Sequence, residues 1–146
     1  MSLDIHLERL IDAPIELVYN EWLDPAARLH WYAPVDGWEV EATSDLRIGG
    51  AWFARFGPAG GDKWTESGEY TLLDAPHQAS YTTKFEHVNG EFFVTQTTIT
   101  LTVVDGKTML TLDDTDFPNE KERAAHEEGW PTFIDSFERH LARQRS

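Results

Sequence analysis

In the stretch "KTMLTLDD", Leu110 and Leu112 alternate as strand residues do, and Asp114 extends the alternation onto the same face. A carboxyl carried inward without a partner would rise in pKa and could act as a general acid or base. The competing reading ends the strand earlier and leaves Asp113, Asp114 and Asp116 as a solvated acidic turn. Arg9 is the odd member of the apolar set Leu3, Ile5, Leu7 and Ile11, placed to pair with such a carboxylate or to snorkel to a rim. Arg47 is expected to pair locally with Asp45 or to cap a turn.

The histidines, at 6, 30, 77, 87, 126 and 140, show no HxH or HExxH spacing, so no metal site is expected. His30 in "LHWYAP" and His126 near the last helix could approach a pocket entrance, with a plain surface position as the alternative for each. Ser44, Ser67, Ser80 and Ser136 lack a GxSxG context, which speaks against a serine hydrolase. The absence of Cys excludes disulfides, thiolate nucleophiles and Cys-ligated zinc. No catalytic residue and no cofactor is assigned, and the missing constellation favours a binding protein over an enzyme.

Charge narrows the partners. Twelve Lys and Arg stand against 26 Asp and Glu, a formal charge of −14 that repels phosphate backbones and anionic head groups. Neither nucleic acid nor a membrane is expected as a partner. The acidic excess reads as a solubilising face, with a basic protein partner as the lesser alternative. "MSLDIHLERLIDAP" carries no basic n-region and apolar h-region, and no apolar run approaches a membrane span, so a cytoplasmic location is expected.

The elements that would position these groups follow from periodicity. Residues 3–11 alternate as a half-buried strand. Residues 13–23 change to helical spacing through Ile15, Val18, Tyr19 and Trp22, with Pro14 suited to a first turn. A second short helix over 24–34 has Asp24 as N-cap and Pro25 at its first position. From 38 to 116 six extended runs are separated by turn signals, among them Asn89-Gly90 and Asp105-Gly106, which predicts an antiparallel meander. Trp130, Phe133, Ile134, Phe137 and Leu141 form one stripe of a C-terminal helix over about 130–143. Gly129 and Pro131 predict that residues 119–128 form a separate or kinked piece.

"DLRIGGAWFARF" (45–56) sets two glycines before an extended run. A phosphate-binding loop needs a helix there, and usually a Lys, so Gly49 and Gly50 are expected to bend a strand instead. A strand, two short helices, a meander and a long final helix predict an α+β helix-grip fold, a curved antiparallel sheet wrapped around the last helix, as one domain over 1–146.

The segments 8–34, 45–56, 67–76 ("SGEYTLLDAP"), 108–118 ("TMLTLDDTDFP") and 126–141 ("HEEGWPTFIDSFERHL") resemble the SRPBCC (START, Bet v-like) superfamily. Within it they resemble the branch of homologues of the activator of the heat-shock protein 90 ATPase. The resemblance spans nearly the whole chain, and Asp-x-Arg-x-Gly-Gly and the Gly-Trp opening of the last helix are its more specific parts. Pro131 directly after Gly-Trp departs from the pattern. The resemblance implies a largely apolar cavity between sheet and helix. Relatives bind lipids, hormones or polyketides, and a few cyclise or hydroxylate them. It also raises a stress or chaperone role. The eukaryotic activator uses an additional N-terminal domain for which 146 residues leave no room, so ATPase activation is not expected.

Strand parity puts Trp52, Phe56, Tyr70, Leu72, Tyr81, Phe85, Thr97 and Asp114 on the concave face, facing Trp130, Phe133 and Phe137 of the helix. Apolar bodies with a few polar tips suit a small hydrophobic ligand. The expected function is therefore a cavity protein for a small apolar or aromatic molecule. The alternatives are a polyketide cyclase or aromatase-like enzyme using a cavity carboxylate or Tyr, and an acidic protein-interaction module. Homodimers through Phe92 or Trp64 are a further expectation.

Overall fold

A computed structural model describes residues 3–145 as a curled antiparallel sheet folded over one long helix. In chain order the elements are β1 (Ile5–Ile11), α1 (Ile15–Leu23), α2 (Pro25–Trp31), β2 (Trp38–Ser44), β3 (Ala51–Pro58), β4 (Trp64–Asp74), β5 (Gln78–Glu86), β6 (Phe92–Val104), β7 (Lys107–Thr115) and α3 (Glu120–Arg145). The strands lie in the order β1, β7, β6, β5, β4, β3, β2, so the meander runs from β2 to β7 and β1 closes its far edge. This is the α+β helix-grip architecture expected from the order of elements.

Local chemistry accounts for the boundaries. The Asp24 carboxylate accepts the Ala26 N–H at 2.9 Å, capping α2, with Pro25 at its first position where a missing N–H costs nothing. Asp105 and Gly106, at φ 51° and 79°, join β6 to β7 with both residues left-handed, as a two-residue hairpin turn requires. In β7 the alternation holds to its end, and Leu110, Leu112 and Asp114 are all buried. The inward row of β6 is buried from Thr95 to Leu101 and emerges at the exposed Val103.

The core is aromatic and sits where α1, α2 and α3 meet the sheet. Trp22, Trp31 and Phe137 pack mutually, with ring centroids 4.7 to 5.1 Å apart. The Trp22 indole N–H donates to the Tyr81 hydroxyl at 3.0 Å, tying α1 to β5. Truncating one such aromatic to Ala costs about 3–5 kcal/mol, so this cluster fixes where the last helix lies.

Three expectations need correction. Leu72 faces outward, 36% exposed, because β4 shifts register against β5 between Tyr70 and Leu72; Leu73 packs on the core instead. Residues 120–145 form one continuous helix with Pro131 inside it. The turn that Pro131 weakens is held by packing on both sides, and the Thr132 hydroxyl donates to the Gly129 carbonyl at 2.6 Å. Gly49 and Gly50 lie in the turn between β2 and β3 rather than within a strand. There the Gly49 N–H donates to the Tyr70 carbonyl at 2.8 Å, and a Cβ on Gly50 would meet the Asp45 carbonyl oxygen at 2.0 Å. A strand follows the pair, so the turn presents no helix N-terminus to a phosphate.

Candidate functional site

Toward the start of α3 the helix and the sheet part, leaving a cavity of about 320 Å³. Trp38 of β2, Phe56 of β3 and Trp64 of β4 form one wall, with ring centroids 5.5 to 6.3 Å apart. Cross-strand pairing explains the grouping, because Phe56 lies directly opposite Trp64 and inward-pointing rings on neighbouring strands must touch. Tyr32, just after α2, and Phe133 of α3 both meet Phe56 edge-on, at 5.3 and 5.6 Å. Phe85, Trp130, Ala125 and Gly129 complete the apolar lining.

Glu66 interrupts this surface. It follows Trp64 by two residues and so shares its inward face, between Ala54 of β3 and Phe85 of β5. The Tyr32 hydroxyl donates to its carboxylate at 3.1 Å. Burial pushes the Glu66 carboxyl up to about 7; the Tyr32 hydrogen bond opposes the rise, the Asp114 charge adds to it, and the Arg28 charge opposes it. Its partial exposure opens on the cavity that it lines.

A second carboxylate stands behind the wall. Asp114 is 2% exposed and accepts hydrogen bonds from the Thr97 hydroxyl at 3.2 Å and the Trp130 indole at 3.1 Å. Thr97 shares a further bond of 2.8 Å with Thr83. Burial raises the Asp114 pKa, against the pull of its Thr95, Trp130 and Thr97 hydrogen bonds and of His126. The strand therefore carries Asp114 inward, and the acidic-turn alternative does not hold.

His126 lines the cavity among Phe85, Phe93 and Phe117, where burial lowers its pKa and favours the neutral ring. His87 and Glu122 meet at 2.6 Å at the same end. His30 is exposed and stacks on His140, away from the cavity lining. Arg9 pairs with Asp135 at 2.7 Å and Glu138 at 3.5 Å on α3, not with Asp114, while Arg47 does meet Asp45 at 2.7 Å.

Arg28 of α2 was not singled out by the sequence. It is 1% exposed, with Nε donating to the Trp22 carbonyl at 3.2 Å and both terminal nitrogens without a hydrogen-bond partner among the described residues. Its guanidinium lies 4.9 Å from the Trp52 ring centre, 5.5 Å from that of Tyr32 and 5.9 Å from that of Tyr81.

Of the residues expected to touch a ligand, Phe56, Phe85, Trp130 and Phe133 line the cavity. Trp52, Tyr70, Tyr81, Thr97 and Phe137 are buried in the surrounding core, and Asp114 reaches the lining through Trp130. Trp64, expected at a dimer surface, is part of the cavity wall, whereas Phe92 is exposed beneath the Lys84 ammonium. Tyr32, Trp38 and Glu66 are the chief additions, with His87, Glu122, Ala125 and Gly129 around them. The signal for Glu66 was its parity with Trp64 and Tyr70, which hydrophobic periodicity passes over because the residue is charged. Among the described residues no group of three or more His, Asp or Glu is arranged to hold a metal, and no helix is long and apolar enough to cross a membrane.

The same architecture recurs in solved structures. Protein CV1439 from Chromobacterium violaceum is 29% identical, with a TM-score of 0.80 over 92% of this chain and 94% of that one. The AHSA1 protein from Silicibacter pomeroyi is 25% identical, with a TM-score of 0.81 over 97% and 99%. An AHSA1-like protein from Aeromonas hydrophila, 22% identical, shares the fold with a TM-score of 0.78 over 97% and 93%. A search of curated proteins by sequence found no match. The family profile described as activator of Hsp90 ATPase homolog 1-like protein matches residues 12–142, from the end of β1 almost to the end of α3. With the match running through both the gripping sheet and the gripped helix, the chain belongs to the activator of Hsp90 ATPase homolog 1-like family.

Proposed function

We propose that this protein binds a small, mostly apolar or aromatic molecule between its sheet and the first half of α3. The supporting observation is the cavity itself. At about 320 Å³ it falls within the range of small-molecule sites, and seven of its lining side chains are aromatic with few polar groups among them. An interaction module without a ligand would fill this space with side chains, as the other end of α3 does. The test is native mass spectrometry of the purified protein, with thermal shifts against aromatic, polyketide-like and fatty-acid compounds. Gly129→Leu is the control, because Gly129 lines the cavity and a Cβ there meets nothing within 4 Å. A compound that raises the melting temperature of the wild type and not of Gly129→Leu supports the reading. An apo mass and equal shifts in both proteins would sink it.

A second reading rests on Glu66 and Tyr32. A carboxyl near pKa 7 hydrogen-bonded to a phenol in an apolar wall is poised to exchange a proton with a bound molecule, as a cyclase or aromatase requires. Conversion of a bound compound by the wild type and not by Glu66→Gln would make the protein an enzyme. The chaperone link in the family's name is tested by adding the chain to an Hsp90 ATPase assay, where no acceleration is expected.

A further inference from the structure

We propose that the cavity is selective for a small amine, a monocation with an apolar or aromatic body whose ammonium group rests on the Glu66 carboxylate beside the rings of Trp38, Phe56 and Trp64. The inference builds on the ligand-binding reading and adds the charge class of the ligand.

Three observations carry it. First, the lining holds two carboxylates, Glu66 and Glu122, and no Lys or Arg. Glu122 is already engaged by His87 at 2.6 Å, which leaves Glu66 as the acceptor within the aromatic wall. Among the described residues the Tyr32 hydroxyl is the hydrogen-bond partner of Glu66, through one carboxylate oxygen. A carboxylate half enclosed by rings is poorly solvated, and a cation brought beside it restores what burial removed.

Second, Trp38, Phe56 and Trp64 lie together on adjoining strands with Glu66 next on the same face. Ring faces attract cations electrostatically, and a carboxylate next to several rings is the arrangement by which aromatic cages hold ammonium groups. Third, the buried cation nearest in kind, Arg28, is outside the lining. Tyr32, Trp52 and Tyr81 cover its guanidinium, so it offers no exposed positive end to an anionic ligand. The chain's formal charge of −14 adds a long-range field of the same preference.

The matched probes are tryptamine, tryptophol and indole-3-propionate, alike in body and differing in charge, titrated by calorimetry into the wild type and Glu66→Gln. At pH 8 tryptamine is expected to bind the wild type at least about tenfold more tightly than tryptophol, with the propionate weakest, and Glu66→Gln is expected to lose the preference. In the wild type, tryptamine affinity should rise about tenfold from pH 6 to pH 8 as the Glu66 carboxyl, near 7, ionises. Arg28 from α2, Tyr32 just after it, Tyr81 from β5 and Asp114 from β7 are the charged or titratable groups coupled to Glu66, and His126, Glu122 and His87 share its cavity. Protonation of His126 would also weaken a cation at low pH, so the pH dependence must flatten in Glu66→Gln for the assignment to stand. If the substitution unfolds the protein, the order of the three probes in the wild type still decides the charge class of the ligand. Tighter tryptophol, or tryptamine preference surviving in Glu66→Gln, overturns the amine assignment and leaves the cavity reading intact. Tightest binding of the propionate overturns it in favour of Arg28 as the determinant. No binding of any of the three overturns both readings.

Discussion

The indole N–H of Trp130 donates to the carboxylate of Asp114 at 3.1 Å, joining α3 to β7 at the back of the cavity. One side chain thus lines the cavity, stacks on Trp22 and tethers a buried acid through its indole N–H. Trp130→Phe keeps an aromatic ring, though a smaller one, and removes the donor. The expected result is a loss of about 1–3 kcal/mol in urea unfolding at pH 7, the cost of one hydrogen bond to a charged group. The Asp114 pKa should also rise further, because a donor to its ionised form is gone; a carboxyl-carbon NMR titration checks it.

Glu66 should make the fold less stable as pH rises. Its folded pKa is raised from 4.5 to about 7, so the folded state binds the extra proton between those values. Stability is then full below about 4.5 and declines through about 7. At 1.36 kcal/mol per tenfold change in proton affinity, the decline is about 3 kcal/mol at most. Subtracting the Glu66→Gln unfolding free energy from that of the wild type at each pH isolates this part; a difference that is flat or rises with pH would refute it.

Gly68→Ala is expected to be severely destabilising. A Cβ there would sit 1.8 Å from the Thr82 carbonyl oxygen, which also accepts the Trp52 indole at 3.0 Å. The neighbour is backbone and cannot turn away, so the loss should exceed the roughly 1–3 kcal/mol of ordinary overpacking. A melting temperature within a few degrees of the wild type would contradict the close packing of β4 on β5.

Arg28→Met should be tolerated or stabilising. The guanidinium is buried with two nitrogens unpartnered, and its contacts with Trp52, Tyr32 and Tyr81 only partly offset the lost hydration. Replacing a buried charge by a hydrophobic side chain of similar length gains about 1–4 kcal/mol in comparable cases. The same change removes a positive charge that favours ionised Glu66, so the Glu66 pKa should rise. Chemical denaturation and an NMR titration read the two effects separately.

The architecture was legible in the sequence because each element carried its own signal, such as Asp24 before Pro25 or the apolar stripe from Trp130 to Leu141. For Asp114 the alternation offered the inner face and the run of acids a solvated turn, and the pairing of β7 to its end decides for the inner face. Parity failed at Leu72, where a register shift in β4 is a property of the pairing with β5 and leaves no mark on alternation. The interruption expected at Pro131 did not occur because packing overrode local preference. Glu66 shows the deeper difficulty. A charged residue within an inward-facing row looks like an exception until the strands on both sides are known, and only then does Tyr32 emerge as its partner.

The final helix has two unlike halves. From Ile134 through Phe137 to Leu141 it is sealed into the core, while from Glu122 to Phe133 it borders open space. A substitution at Gly129, where an added side chain meets open space, can therefore change the shape of the cavity with little effect on whether the protein folds, whereas Trp130 and Phe133 also pack on the core. In such a scaffold the lining is free to change while the backbone stays the same, and a shared family name says less about this one face than the residues along it.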